Sequence, residues 1–138
     1  MTTIITVANQ KGGVGKTTTA VTLGHGLSRD GRRVLVVDLD GQGHVAFALG
    51  MKKSNGLYRL LVESEPIHKV AEEARPNLDI IANDKTGENV GRWVTSLNFR
   101  ERIIKKALRG AAYDVIILDT PPSLGVLHVA ALVASHWI

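Results

Sequence analysis

Apolar residues gather in three short continuous runs. Ile4-Ile5-Thr6-Val7-Ala8 is the first, Val34-Leu35-Val36-Val37 the second and Val115-Ile116-Ile117-Leu118 the third; the last two each end on an aspartate, Asp38 and Asp119. The runs do not alternate apolar with polar, and they are rich in β-branched side chains. Strands covered on both faces read this way, as in a parallel sheet. Leu78-Asp79-Ile80-Ile81 is a weaker fourth strand. Between the strands the period changes. Ala20, Leu23, Gly24 and Leu27 fall at i, i+3, i+4 and i+7, one face of a helix, and Asp30-Gly31 ends it. Leu57, Leu60 and Leu61 predict a short helix. A longer one is predicted from about Glu88 to Arg109, although Gly91 and Asn98 weaken its middle. Leu124 to Ala134 is apolar almost all round and predicts a buried helix.

This strand–helix–strand alternation predicts right-handed crossovers and a three-layer α/β fold, a parallel sheet flanked by helices on both faces. The 138 residues suit one domain with a real core, and no repeat or linker divides them. The last residues, Ser135-His136-Trp137-Ile138, read as the start of another buried strand. The expectation is therefore one domain over residues 1–138 that is the front portion of a longer, truncated one.

Composition narrows the chemistry. There is no cysteine, so disulfides, a thiolate nucleophile and cysteine-held zinc or iron–sulfur groups are excluded. No apolar run approaches the roughly 20 residues that span a bilayer. Met1-Thr2-Thr3 does not open a signal peptide, so a cytoplasmic location is expected. The net charge of +4 permits a polyanionic partner without demonstrating one. His25, His44, His68, His128 and His136 show no metal-binding spacing and read as ordinary, with His44 alone near the candidate site. Trp93 and Trp137 read as packing residues.

The segment after the first strand carries the sharpest signal: Asn9-Gln10-Lys11-Gly12-Gly13-Val14-Gly15-Lys16-Thr17-Thr18. Glycines let successive backbone N–H groups turn toward phosphate oxygens. A helix starting near Lys16 would aim its N-terminus at the same anion. Lys16 would reach the β- and γ-phosphates, and the Thr17 hydroxyl would ligate Mg2+. The pattern G-x-x-x-x-G-K-[ST] fails at one place, where Gln10 stands for the first glycine.

The run Lys-Gly-Gly-Val-Gly-Lys-Thr-Thr resembles the deviant Walker A loop of the ParA/MinD/nitrogenase-iron-protein superfamily of P-loop NTPases, where Gln10 is usual. The resemblance implies an ATP cradle of Gly12, Gly13, Val14, Gly15, Lys16, Thr17 and Thr18. It also implies a catalytic role for Lys11, which would reach across a nucleotide-sandwich dimer to the partner's phosphates, in the manner of an arginine finger. Asp38-Leu39-Asp40-Gly41-Gln42-Gly43 resembles the family's Asp-x-Asp-Pro-Gln-Gly box. By that likeness Asp40 positions the attacking water, while Asp38 supports the loop and the magnesium shell. Leu118-Asp119-Thr120-Pro121-Pro122-Ser123 resembles the Walker B and switch II segment, with Asp119 holding a water on Mg2+. Gly41 replaces the usual proline, His44 a usual Asn, and Ala130 and His136 a usual Asn and Asp. Asp114 reads as a turn residue.

The three boxes imply a ParA/Soj-type, Mg2+-dependent ATPase: a dimeric switch for plasmid or chromosome partition that binds DNA non-specifically when ATP closes it. Its partners would be DNA and a centromere-binding ParB-like protein, with no membrane. The Gln42-Gly43 pair favours this over a MinD-like positioning ATPase. Iron-protein electron transfer lacks its cysteines, and a bacterial tyrosine kinase would need more tyrosines than Tyr58 and Tyr113. A truncated nucleotide-binding fragment without activity is the remaining alternative. If residues 100–109 are helical, Arg102, Lys105, Lys106 and Arg109 share one face, which reads as a solvated surface or, more sharply, as a DNA contact.

Overall fold

The computed structural model describes residues 1–8 and 15–138. In chain order its elements are β1 (Thr3–Val7), α1 (Gly15–Arg29), β2 (Val34–Asp38), α2 (His44–Ala48), α3 (Gly56–Leu61), α4 (Ile67–Val70), β3 (Glu72–Arg75), β4 (Leu78–Ile81), α5 (Gly87–Thr95), a 3-10 turn (Arg100–Arg102), α6 (Ile103–Ala107), β5 (Val115–Asp119) and α7 (Val126–Ala134). The strands form one sheet in the order β1-β5-β2-β4-β3. The first four are parallel, and β3 joins the edge antiparallel to β4. The three continuous apolar runs are β1, β5 and β2, side by side, and the weaker run is β4.

Both sheet faces are apolar because each face has its own helical cover. Leu35, Val37, Ile81, Ile116 and Leu118 point into one core with α3, α5, α6 and α7. Val34, Val36, Leu78, Ile80, Val115 and Ile117 point into the other, with Ala20 of α1 and Val45 and Ala46 of α2. Successive residues of a strand face opposite ways. A strand buried on both sides, as β2 and β5 are, must therefore be apolar along its length, which is why those runs do not alternate; β1 alternates buried with half-buried positions. Burying each such side chain contributes about 1.5–3 kcal/mol.

Four sequence expectations need correction. The single helix expected over about 88–109 is broken into α5, the 3-10 turn and α6. Phe99, at φ 54°, takes the left-handed conformation at the break, which ends regular helix. Strand β3 was invisible because Glu72, Glu73 and Arg75 are exposed on an edge, where charge blunts unwanted pairing; the sheet is therefore not purely parallel. Helix α7 is not buried all round, since Val129 and Val133 are exposed at 47% and 42%. Residues 136–138 do approach β1 as a parallel strand, Thr6 N–H donating to the Trp137 carbonyl at 2.9 Å. Trp137 itself is exposed, so this segment is paired but not buried, and the packing role read for Trp137 fails with it.

One approach sets how closely α1 lies on the sheet. A Cβ on Gly24 would stand 3.0 Å from Val36 Cγ2 and 3.4 Å from Leu78 Cδ1. Gly26, two residues on, faces open space. Gly24→Val should therefore destabilise the fold by about 1–3 kcal/mol through overpacking. Gly26→Ala should stabilise it by about 0.5–1 kcal/mol by lowering backbone entropy in the unfolded chain. Urea midpoints of the two variants check this, and equal tolerance at both positions would contradict the close approach.

Candidate functional site

The parallel strands β1, β5 and β2 end together. Val7, Asp119 and Asp38 lie in register across their carboxyl ends, the edge where open α/β sheets place their ligand crevice. Each aspartate follows an apolar run that carries it to that edge and no further. Both are fully buried, so each carboxylate needs partners inside the protein.

Asp119 finds them at the N-terminus of α1. Lys16 Nζ donates to Asp119 Oδ1 at 2.8 Å, and the Thr17 hydroxyl donates to Asp119 Oδ2 at 2.7 Å. The Lys16 ammonium also donates to the Thr120 carbonyl. Lys16 is itself buried, so this is a buried ion pair spanning most of the chain. The Thr120 hydroxyl donates back to the Val7 carbonyl at 3.0 Å and ties the segment after β5 to the end of β1. Gly15 and Thr18, from the expected cradle, sit exposed in the first turn of the same helix. Lys11, Gly12, Gly13 and Val14 lie outside the described residues.

Asp38 is held differently. Its two oxygens accept the backbone N–H groups of Asp40 at 2.9 Å and Val45 at 3.3 Å. The carboxylate thereby shapes the loop from residue 39 to the start of α2. Burial pushes the Asp38 carboxyl up from its ordinary 3.8 to about 7, with the neighbouring Asp119 charge acting in the same direction and the two amides opposing it. Asp40 stands at the tip, half-exposed, its Oδ1 accepting the Gln42 N–H at 3.1 Å in an Asx turn. Gly43 closes the loop at φ 71°, where a Cβ would press on Lys53 and the Asn83 carbonyl at under 3 Å. His44 opens α2, exposed beside this loop. Gly41, in the position the family usually gives to proline, already lies within 3.2 Å of the Asp84 carbonyl at its would-be Cβ.

Asn83 is the residue that sequence reasoning missed. It is buried two positions beyond β4, against Gly87 and the Gly43 backbone, and its Oδ1 accepts the Asp84 N–H at 2.9 Å. Its Nδ2 has no partner among the described residues. The available signal was its place just past the carboxyl end of a parallel strand, the same place that singled out Asp38 and Asp119. Beside it a groove of about 660 Å3 opens between Asp40–Gln42, residues 84–91 and Pro121–Leu127.

The arrangement suits one cation of a particular kind. A threonine hydroxyl and a carboxylate at a helix N-terminus are hard oxygen donors, few in number, as Mg2+ sites that share their ion with phosphate require. Among the described residues no three His, Asp or Glu side chains come together as a protein-only metal cage.

Comparison with known proteins follows the same lines. The family model described as AAA domain matches residues 2–138. The chain is similar to the chromosome-partitioning ATPase Soj of Thermus thermophilus, 42% identical over 134 residues that make up 97% of this chain and 52% of that protein. Among solved structures it is similar to cobyrinic acid a,c-diamide synthase from Mycobacterium smegmatis with bound ATP analog and magnesium, at TM-score 0.91 and 35% identity, over 99% of this chain and 58% of that one. A plasmid partition protein from Borrelia burgdorferi superposes at TM-score 0.85 with 32% identity, over 98% of this chain and 63% of that one. The chain thus spans about half the length of the curated relatives it matches.

The raised Asp38 pKa makes a prediction of definite sign. The folded protein holds this proton more tightly than the unfolded chain. The stability linked to it is full below about pH 4 and is lost as pH rises toward 7. Without Mg2+ or nucleotide, Asp38→Asn should therefore gain on the unsubstituted protein between pH 5 and pH 8, by on the order of a few kcal/mol. Thermal midpoints of both proteins across that range check it; a difference independent of pH would contradict it.

Proposed function

The chain belongs to the AAA-domain family and is of the ParA/Soj type, and on that premise we propose that it binds ATP with Mg2+ at the Lys16–Thr17–Asp119 cluster and hydrolyses it. The observation that carries this reading is the convergence of an ammonium and a hydroxyl on one carboxylate, at 2.8 and 2.7 Å, at the start of α1. Those are the three groups that a triphosphate and its metal would engage.

The chain's own residues divide the work. Lys16 exchanges Asp119 and the Thr120 carbonyl for the β- and γ-phosphate oxygens, keeping a charge-assisted bond throughout. Thr17, released from Asp119, would present its hydroxyl oxygen to the cation, and Asp119 would hold a water on it. A magnesium ion held there would supply positive charge to offset that of the phosphates. The cradle implied for Gly12 to Thr18 would hold the phosphates through backbone amides. Asp38 keeps the following loop in shape and supports the magnesium shell. Asp40, at the loop tip, orients the attacking water; phosphoryl transfer rests mostly on positioning and electrostatics, so it need not be a strong base. Lys11 supplies a second cation from the partner subunit of a dimer.

In the whole protein this cycle would work as a cytoplasmic partition switch. ATP closes a homodimer that holds DNA non-specifically, and a ParB-like centromere-binding protein stimulates hydrolysis and release. The name of the Thermus relative, a chromosome-partitioning ATPase, supports that assignment, as does the plasmid partition protein among the similar structures. No helix among the described residues is long and apolar enough to cross a membrane.

Lys16→Ala should weaken Mg2+–ATP binding at least about tenfold, the loss of one charge-assisted hydrogen bond. Asp40→Ala should bind ATP as the unsubstituted protein does yet release no phosphate. Calorimetric titration with and without Mg2+, alongside phosphate release, tests both. Removing Lys16 also strands Asp119 in the interior, so circular dichroism must first show the variant folded. ATP affinity indifferent to Mg2+ and to Lys16 would overturn the proposal.

A further inference from the structure

Further along α5 and α7 from the groove beside Asp40, a second concavity lies on the α3–α7 side of the sheet. Its volume is about 1060 Å3, and it runs between the segment after α3 and the broken helix at residues 93–109. The floor is apolar: Leu61, Ile67, Trp93, Leu97 and Ile103. One wall is cationic. Arg102, Lys105, Lys106 and Arg109 all line it and are all exposed. The one lining carboxylate, Glu65, is already engaged by Arg59 through two bonds of 2.7 and 3.0 Å. Four cations therefore face a groove that contains no free anion among its described lining residues.

The lip is unusual as well. Phe99 stands 74% exposed, on a backbone at φ 54° that a bulky side chain rarely adopts. Such a conformation is strained for a residue with a Cβ, and here it holds an aromatic ring in water beside an apolar trough. Val133, on the exposed face of α7, also borders the groove.

From these three features we propose that the groove is a docking site for an acidic amphipathic helix of a partner protein. Helices bind grooves through apolar anchors at i, i+3 or i+4, and i+7. The floor would take the anchors, Phe99 would clamp over them, and glutamates or aspartates flanking the stripe would meet the four cations. Charge complementarity selects an acidic partner and speeds its encounter. Duplex DNA has no use for the recessed apolar floor, because its phosphates are met by cations alone. A flat anionic membrane would touch the rim and not the trough. The proposal stands apart from the nucleotide site and does not depend on ATP binding.

The probe is a synthetic peptide of about 14 residues with leucines at helical spacing and glutamates elsewhere. Trp93 reports on the floor directly. Trp137→Phe removes the other tryptophan, leaving its emission alone. The glutamate peptide should shift Trp93 emission to the blue and saturate, and added salt should weaken it. Lys105→Glu with Lys106→Glu should weaken binding at least about tenfold. Phe99→Gly should weaken it to a similar degree while leaving the thermal midpoint unchanged or higher, since glycine tolerates the left-handed backbone. That combination separates a lost contact from a damaged fold. An unperturbed Trp93, or equal binding of a peptide with lysine in place of glutamate, would overturn the proposal. So would binding of a DNA duplex or of phosphatidylserine vesicles that Lys105→Glu with Lys106→Glu abolishes and Phe99→Gly leaves intact, which would assign the face to that polyanion.

Discussion

The buried pair of Lys16 and Asp119 is the contact on which the site depends. An ammonium and a carboxylate, both removed from water, are tolerable only together. Here they join the first turn of α1 to the end of β5, and the Thr17 hydroxyl and the Thr120 carbonyl complete the bonding. The same groups that would receive a metal–triphosphate are thus satisfied by one another without it. The proposed ligand would bind by an exchange of partners within a preformed cluster, so that Lys16 and Asp119 would not have to be buried afresh.

The sheet makes that exchange possible by aligning strand ends. With β5 between β1 and β2, two aspartates from distant parts of the chain arrive side by side. They then diverge in role through their neighbours. Asp119 faces a cation and a hydroxyl. Asp38 faces two backbone amides and another carboxylate, which leaves it protonated at higher pH than usual and committed to shaping the loop that carries Asp40. Like residues in like positions are separated by what folds around them. Asn83, at the end of β4, extends the same edge and buttresses the loop through close glycine contacts at Gly43 and Gly87.

The second concavity follows another logic. Helix α6 buries Ile104, with Leu108 buried just after it, and turns Lys105 and Lys106 outward, as the amphipathic pattern requires. The break at Phe99 leaves that helix short and opens a trough between it and the segment after α3. Apolar floor and cationic wall are then features of one surface, brought together by a bend that neither helix encodes alone.

Much was legible in the chain because the signals were local. Doubly buried strands need apolar residues along their length, so β2 and β5 could be read directly, and the aspartates that end them marked the edge where the candidate site lies. The glycine-rich run with Lys16 and Thr17 reads as a phosphate loop through its glycines and its resemblance to a known family's loop, and the structure brings Lys16 and Thr17 of that run onto Asp119. Other features belong to contacts between distant segments. Edge strand β3 has no hydrophobic period, since exposure on both faces removes the need for one. The α5–α6 break, the exposed face of α7 and the orphaned amide of Asn83 depend on what packs against each segment. So does the choice of Asp119 over Asp38 as partner for Lys16. A hydrophobic period reports whether a residue is buried; which atoms surround it there is settled only when the chain has closed on itself.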